Sequence, residues 1–211
     1  MRGRKKPWAD EFILQHQDYI YNPEKDFINQ NKTYLEVGMG KGDFIIASCK
    51  YSPDINHIGV ELNKSVFAIA MKKIVNENLN NIKLLNVAAL NLLDYIKLHT
   101  INRIYLNFSD PWPKSGYQKR RLVHPIHLEI FEKLLETDGE ILFKTDNLKL
   151  FEYGLEIFNQ RNYEIVFLSY DYQLIEGDFL TEYEKRFRSL NQPIYRCVFK
   201  IRKENHHENV E

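Results

Sequence analysis

The sequence predicts an α/β protein with a mostly parallel, seven-stranded sheet and helices on both faces. Three observations lead there. Short apolar runs recur at residues 33–37, 55–62, 82–87, 101–108, 139–145, 163–170 and 194–202. Segments with helical apolar spacing alternate with most of them, and that rhythm belongs to a parallel sheet covered on both sides. The last two runs have no clear crossover helix between them, so the sheet is expected to finish antiparallel.

Composition sets the outer bounds. The chain has 211 residues, enough for one full core. Hydrophobic residues make up 44% and charged residues 27%, values of an ordinary globular chain. The formal net charge is +0, so any binding to nucleic acid must come from local patches. Two cysteines, Cys49 and Cys197, stand far apart, which argues against a disulfide framework and for a reducing cytoplasm. Seven histidines show no ligand spacing, and no metal is expected. No apolar run approaches the roughly 20 residues that span a bilayer. The basic amino terminus lacks the apolar segment of a secretory signal.

The elements follow in order. Residues 1–8 form a basic arm, and residues 9–30 begin helical and turn irregular around Pro23. The first strand, 33–37, runs into Gly38-Met39-Gly40-Lys41-Gly42, and a helix follows to about Tyr51. The second strand ends near Glu61, where Asn63 or Ser65 can cap a long helix to about Asn78. The third strand precedes an expected helix over 88–98. The fourth leads into a proline-rich loop and a helix over 124–137, with apolar spacing through Ile126, Ile130, Phe131, Leu134 and Leu135. The fifth strand starts at Gly139, and a helix over 147–162 joins it to the sixth. Residues 171–192 are polar and turn helical at Thr181-Glu182-Tyr183-Glu184 before the last strand. The expected division is a lead-in over 1–30, the main domain over 31–203 and a disordered tail over 204–211.

Two stretches carry chemistry. Leu106-Asn107-Phe108-Ser109-Asp110-Pro111-Trp112-Pro113-Lys114 ends the fourth strand abruptly, because prolines cannot continue a ladder. Ser109 and Asp110 therefore stand at the carboxyl end of a strand, where open α/β sheets bind ligands. An acid, an aromatic and the following Lys119-Arg120-Arg121 suit a nucleobase with its phosphates; the plain alternative is a proline turn with Trp112 in the core. In the other stretch, glycines after the first strand let backbone approach a ligand closely. Glu36 just before them suits an ammonium, and Glu61 suits the two hydroxyls of a ribose. A dinucleotide enzyme would also use an acid at Glu61, but would not ordinarily carry Glu36.

Taken with Phe143-Lys144-Thr145-Asp146-Asn147, Thr181-Glu182-Tyr183-Glu184 and Pro193-Ile194-Tyr195-Arg196, these blocks resemble the bacterial tRNA (guanine-N7)-methyltransferases, which modify guanine at position 46. The resemblance runs from about Arg2 to Arg202. It implies the Rossmann-like fold of enzymes that use S-adenosylmethionine, and transfer of its methyl group to guanine N7 in tRNA. It implies cofactor contacts at Glu36, Gly38, Gly40, Glu61 and Asp110, with Asp110 also the catalytic, orienting acid. It implies substrate contacts at Lys114, Asp146, Thr181, Glu182, Tyr183 and Glu184, and contacts to the RNA backbone at Gly116, Tyr117, Gln118, Lys119, Arg120 and Arg121. The basic arm is either a solvated terminus or a segment that orders on RNA, and the chain is expected as a monomer or homodimer. One position departs from the pattern. An acid usual after the third strand is replaced at Ala88, so that either Asn86 or a backbone amide holds the adenine, or cofactor affinity is lower. Ala88 is also the feature favouring an RNA-binding module without activity; the other alternative is a methyltransferase for another RNA or an amino group, the latter opposed by Asp-Pro-Trp-Pro at the fourth strand. Each block has a structural alternative: Asp146 as a helix cap, Glu182 and Glu184 as surface acids paired with Lys185 and Arg186, and Lys119 to Arg121 as a solvated loop.

Overall fold

Four of the strands are buried along almost their whole length, and their order fixes where a ligand can bind. The computed structural model describes residues 6–201. Residues 1–5 of the basic arm and the tail 204–211 lie outside them. The strands are β1 (Thr33–Val37), β2 (Asn56–Val60), β3 (Ile82–Leu85), β4 (Ile101–Asn107), β5 (Leu135–Thr145), β6 (Glu164–Ser169) and β7 (Tyr195–Lys200). They form one sheet in the order β3-β2-β1-β4-β5-β7-β6. The first five pair in parallel, whereas β7 runs antiparallel to both β5 and β6. The seven-stranded sheet and its antiparallel finish are those expected from the sequence.

The helices are α1 (Ala9–Gln15), α2 (Asp43–Tyr51), α3 (Lys64–Asn76), α4 (Pro125–Leu134), α5 (Leu148–Gln160) and α6 (Glu182–Ser189). One apolar cluster joins α2 and α3 to one face through Ile45, Cys49, Phe67, Met71 and Ile74, with Phe12 and Ile13 of α1 against it. The other face carries a larger cluster, with Leu128, Phe131 and Leu134 of α4 and Leu150, Phe151 and Phe158 of α5. The lead-in also closes an edge: Ile20 bridges Leu84 in parallel, and the amide of Tyr21 donates to the Leu84 carbonyl at 3.0 Å.

Two boundaries differ from the sequence reading. The helix expected over 88–98 is a 3₁₀ turn, Ala89–Asp94. Its apolar spacing is real, since Leu92 and Ile96 are both buried and the Ile96 amide donates to Leu92. The turn is capped at Tyr95, whose amide donates to the Leu92 carbonyl, and the chain enters β4 at Ile101. Second, α4 stops at Leu134, and β5 begins at Leu135 rather than Gly139. Register jumps from Ile101↔Leu135 to Arg103↔Glu140, so the intervening residues bulge out of the ladder. A Cβ on Gly139 would lie 2.7 Å from Leu135 Cδ2, 3.0 Å from the Glu136 carbonyl oxygen and 3.1 Å from that of Ile101, so a side chain there would force its neighbours to shift.

Candidate active site

Strand order reverses between β1 and β4, and the site lies at the carboxyl ends flanking that point. Glu36, next to last in β1, is 2% exposed. Asn107, the last residue of β4, donates its side-chain amide to Glu36 Oε1 at 3.0 Å. Glu36 Oε2 is buried without a hydrogen-bond partner. Such an orphaned oxygen costs the folded chain the desolvation of that atom, which a ligand donor would recover. Burial pushes the Glu36 carboxyl up to about 7, opposed by the Asn107 hydrogen bond and the Lys144 ammonium.

From β1 the chain passes through Gly38 and Gly40 with φ of 80° and 58°, a region most side chains avoid. The space a Cβ would take at either is open. The turn therefore offers bare backbone beside the orphaned carboxylate. Glu61 follows β2 and ties this turn to the head of α3. Its Oε2 accepts from the Gly40 amide at 3.1 Å and its Oε1 from the Asn63 amide at 2.7 Å. Lone pairs remain on both oxygens for hydroxyl donors. Burial raises the Glu61 carboxyl, backbone amides of Asn63 and Gly40 oppose the rise, and the charge of Asp110 adds to it. The three acids expected at a cofactor thus converge, with Asp110 exposed and Glu36 sealed.

The loop after β4 is held in a strained form. Phe108 and Trp112 have φ of 51° and 41°, unusual for aromatic residues and costing about 1–3 kcal/mol each. Arg121 fixes the loop, donating through Nε to the Pro111 carbonyl at 3.0 Å and through Nη2 to the Trp112 carbonyl at 3.1 Å. Its guanidinium also covers the Tyr153 ring at 4.4 Å. Arg121 was expected along the RNA backbone; its donors instead hold the loop. Trp112 belongs to none of the apolar clusters. Arg120 stands 4.8 Å from the Trp112 ring and 4.7 Å from that of Tyr117. Lys114, Gly116, Tyr117, Lys119 and Arg120 are exposed around a 3₁₀ turn, Ser115–Arg120, and Gln118 is half-buried.

The second wall is α6. Thr181 caps it, its Oγ1 accepting from the Glu184 amide at 3.0 Å, the Thr-x-x-Glu arrangement of a capping box. Glu182 reaches Lys41 of the glycine turn at 2.7 Å, not Lys185 or Arg186. Tyr183 is 58% exposed and free to stack. Glu184 is a correction to the sequence reading, both as a surface acid and as an acceptor facing substrate. It is fully buried, with Lys144 Nζ 2.7 Å from Oε2 and Arg188 Nη2 2.7 Å from Oε1. Asp146 is not a cap: Asn147 caps α5, accepting from the Leu150 amide at 2.9 Å. Asp146 is half-buried after β5, and burial raises its carboxyl. Asn86 is engaged as well, donating to the carbonyls of Glu61 at 2.6 Å and Leu62 at 3.2 Å. Of the three expectations at Ala88, the one that uses the Asn86 side-chain amide finds that group already engaged.

Sequence reasoning assigned no role to Asn107, Lys144, Asp178 or Arg196. The available signal was a lysine in an otherwise apolar strand, Ile-Leu-Phe-Lys-Thr, which demands a buried partner. Among the described residues no cluster of three or more His, Cys, Asp or Glu side chains could hold a metal ion, and no helix is long and apolar enough to cross a membrane.

Residues 30–197 match a family model described as a putative methyltransferase. A tRNA (guanine-N(7)-)-methyltransferase of Bacillus subtilis is 43% identical over 207 residues, 93% of this chain and 97% of the relative. One from Clostridioides difficile is 42% identical over 213 residues, 96% of this chain and 100% of the relative. The chain belongs to the tRNA (guanine-N7)-methyltransferase family. Solved structures carry the fold at much lower identity. A SAM-dependent methyltransferase from Aquifex aeolicus superposes with a TM-score of 0.58 at 12% identity, covering 92% of this chain and 98% of that one. An antibiotic-related methyltransferase reaches 0.64 at 15% identity, covering 96% and 99%. The Rossmann-like methyltransferase fold expected for this family member is the one observed.

Proposed function

We propose that this methyltransferase moves a methyl group from S-adenosylmethionine to N7 of guanine 46 in tRNA, in the cytoplasm, with residues 31–203 as the catalytic domain. The observation that carries the reading is Glu36, a buried carboxylate with one unpartnered oxygen beside a glycine turn with open space at Gly38 and Gly40. That combination fits an ammonium group and a close ligand. Glu36 would receive the methionine ammonium, Glu61 the ribose hydroxyls, and the Gly38–Gly40 backbone the chain between them. S-adenosylmethionine, when bound, supplies an electrophilic methyl on a sulfonium.

The chain's own task is then positioning. Guanine N7 has an in-plane lone pair and no proton, so no side chain need act as a base. What is needed is an in-line approach, and holding the reactants aligned is worth several powers of ten in rate. Asp110, set by the strained loop, orients the base and stabilises the positive charge that develops on the purine. Asp146 accepts from the donor edge of guanine, and Tyr183 or Trp112 offers a face to the unstacked base. Lys114, Lys119 and Arg120 meet phosphates. The test is transfer of labelled methyl to unmodified tRNA, with the product nucleoside identified after digestion. Label is expected as 7-methylguanosine and is expected to vanish when guanine 46 is replaced by adenine. Incorporation that survives this replacement would overturn the site, and no incorporation would overturn the activity.

A further inference from the structure

Lys144 stands on β5 with its side chain 4% exposed, a costly place for an ammonium unless it is fully paired. Both acids that touch its ammonium come from the single segment between β6 and β7, and its charge also reaches the buried Glu36 carboxyl of β1. Glu184 Oε2 is 2.7 Å from Nζ, Asp178 Oδ2 is 3.2 Å away, and the Phe179 carbonyl is 3.5 Å away. Those acids are shared: Arg188 holds Glu184, while Arg196 at 2.8 Å and the Tyr172 hydroxyl at 2.9 Å hold Asp178. The segment's apolar anchorage is partial: half-buried Phe179 packs against Phe44 and Tyr51, and half-buried Phe187 stacks on Phe108 at 6.0 Å. Between residues 171 and 194 only Tyr172, Glu184 and Ile194 are buried, and Leu174, Ile175 and Leu190 are exposed. The same lysine also meets the opposite wall, because its backbone carbonyl accepts from the Phe108 amide at 2.8 Å, at the root of the Asp110 loop.

We propose that Lys144 is a positioning residue for methyl transfer, anchoring the turn that carries Thr181, Glu182 and Tyr183 beside the loop that carries Asp110. The catalytic part of this inference rests on the function proposed above; the anchoring part does not. In Lys144→Met the aliphatic stem remains, but Glu184 and Asp178 lose their common cation. The α6 segment then loosens while the phosphate-binding residues and the cofactor acids stay in place. Rate falls because the base is no longer held in line and tRNA affinity changes little, while S-adenosylmethionine affinity weakens because Glu36 loses a nearby cation.

The full chain is tested as wild type, Lys144→Met, Lys144→Arg and Asp178→Asn. Three quantities are measured: trypsin cleavage after Arg186, single-turnover methyl transfer to unmodified tRNA, and dissociation constants for tRNA and S-adenosylmethionine. In Lys144→Met, cleavage is expected to accelerate and transfer at saturating S-adenosylmethionine to slow, each by about tenfold or more, with the tRNA dissociation constant within about threefold of wild type. Lys144→Arg should recover most of the rate, since it restores the charge. Asp178→Asn should move cleavage and rate in the same direction by less, and it carries the test if Lys144→Met does not fold. Wild-type cleavage and transfer in Lys144→Met would overturn the proposal. So would loss of tRNA affinity in parallel with the rate, which marks a general structural role. Should wild type itself transfer no methyl to tRNA, the function fails alone, and the cleavage comparison still decides the anchor.

Discussion

Glu36 makes cofactor affinity depend on pH in a way that can be worked out in advance. Its carboxyl is pushed up to about 7, chiefly by burial, so near neutrality the ligand-free protein is a mixture of charged and neutral forms. An ammonium bound at Glu36 requires the charged form. Below pH 7 the protein must therefore release a proton on binding, and the dissociation constant rises toward tenfold per pH unit. On the alkaline side the ligand limits the pair, because an α-amino group loses its own proton near about 7.8. Together these give a bell with its best affinity between about pH 7 and 8, and binding at pH 6 about sixfold weaker than at pH 7.4. Isothermal titration with S-adenosylmethionine from pH 5.5 to 8.5 measures it. Glu36→Gln is expected to bind more weakly at neutral pH and to lose the acid limb. Glu61→Gln serves as the control, since Glu61 is also raised by burial. A wild-type affinity that stays flat from pH 6 to 7.4, or an acid limb that survives in Glu36→Gln, would refute the assignment of the ammonium to Glu36.

The same carboxyl affects stability without ligand. Folded protein keeps a proton that the unfolded chain releases, so the stabilising difference shrinks as pH rises from about 4.5 to 7, by up to about 3 kcal/mol. Denaturant unfolding of wild type against Glu36→Gln should show that slope in wild type only. Asp110→Ala should reduce the rate of methyl transfer by about 10²–10³ while unfolding stays cooperative; near-normal turnover would remove it from the mechanism. Lys119→Ala with Arg120→Ala should flatten the dependence of log tRNA affinity on log salt by roughly 1.5 units. Arg121→Ala should leave that slope in place and lower the rate instead, because its donors hold the Pro111 and Trp112 carbonyls.

How much of this was legible depends on whether a residue's role is set locally or across the sheet. The glycine turn, the Pro-Trp-Pro stop and the acids ending β1 and β2 are fixed by neighbours in sequence, and they stand where the pattern puts them. Glu184 was misread because its partner, a lysine on β5, is set by tertiary packing, and the loop carbonyls 9 and 10 residues back that Arg121 holds were not legible for the same reason. The basic run at 119–121 has one composition, yet its members divide between structure and exposure. Arg121 turns inward under the loop, exposed Arg120 lies against the edge-on pair of Trp112 and Tyr117 rings, and Lys119 faces solvent. Thr181 and Glu184 show the same division in another form. Their spacing is at once a capping box, a buried ion pair and a motif that implies substrate contact. The capping bond and the ion pair make the helix start at Thr181 and hold it against β5. In doing so they leave Tyr183, between them, as the aromatic side chain turned out to the solvent. In the function proposed, the motif reaches substrate through Tyr183 by using its flanking polar residues as structure. Lys144 is the residue on which that arrangement closes.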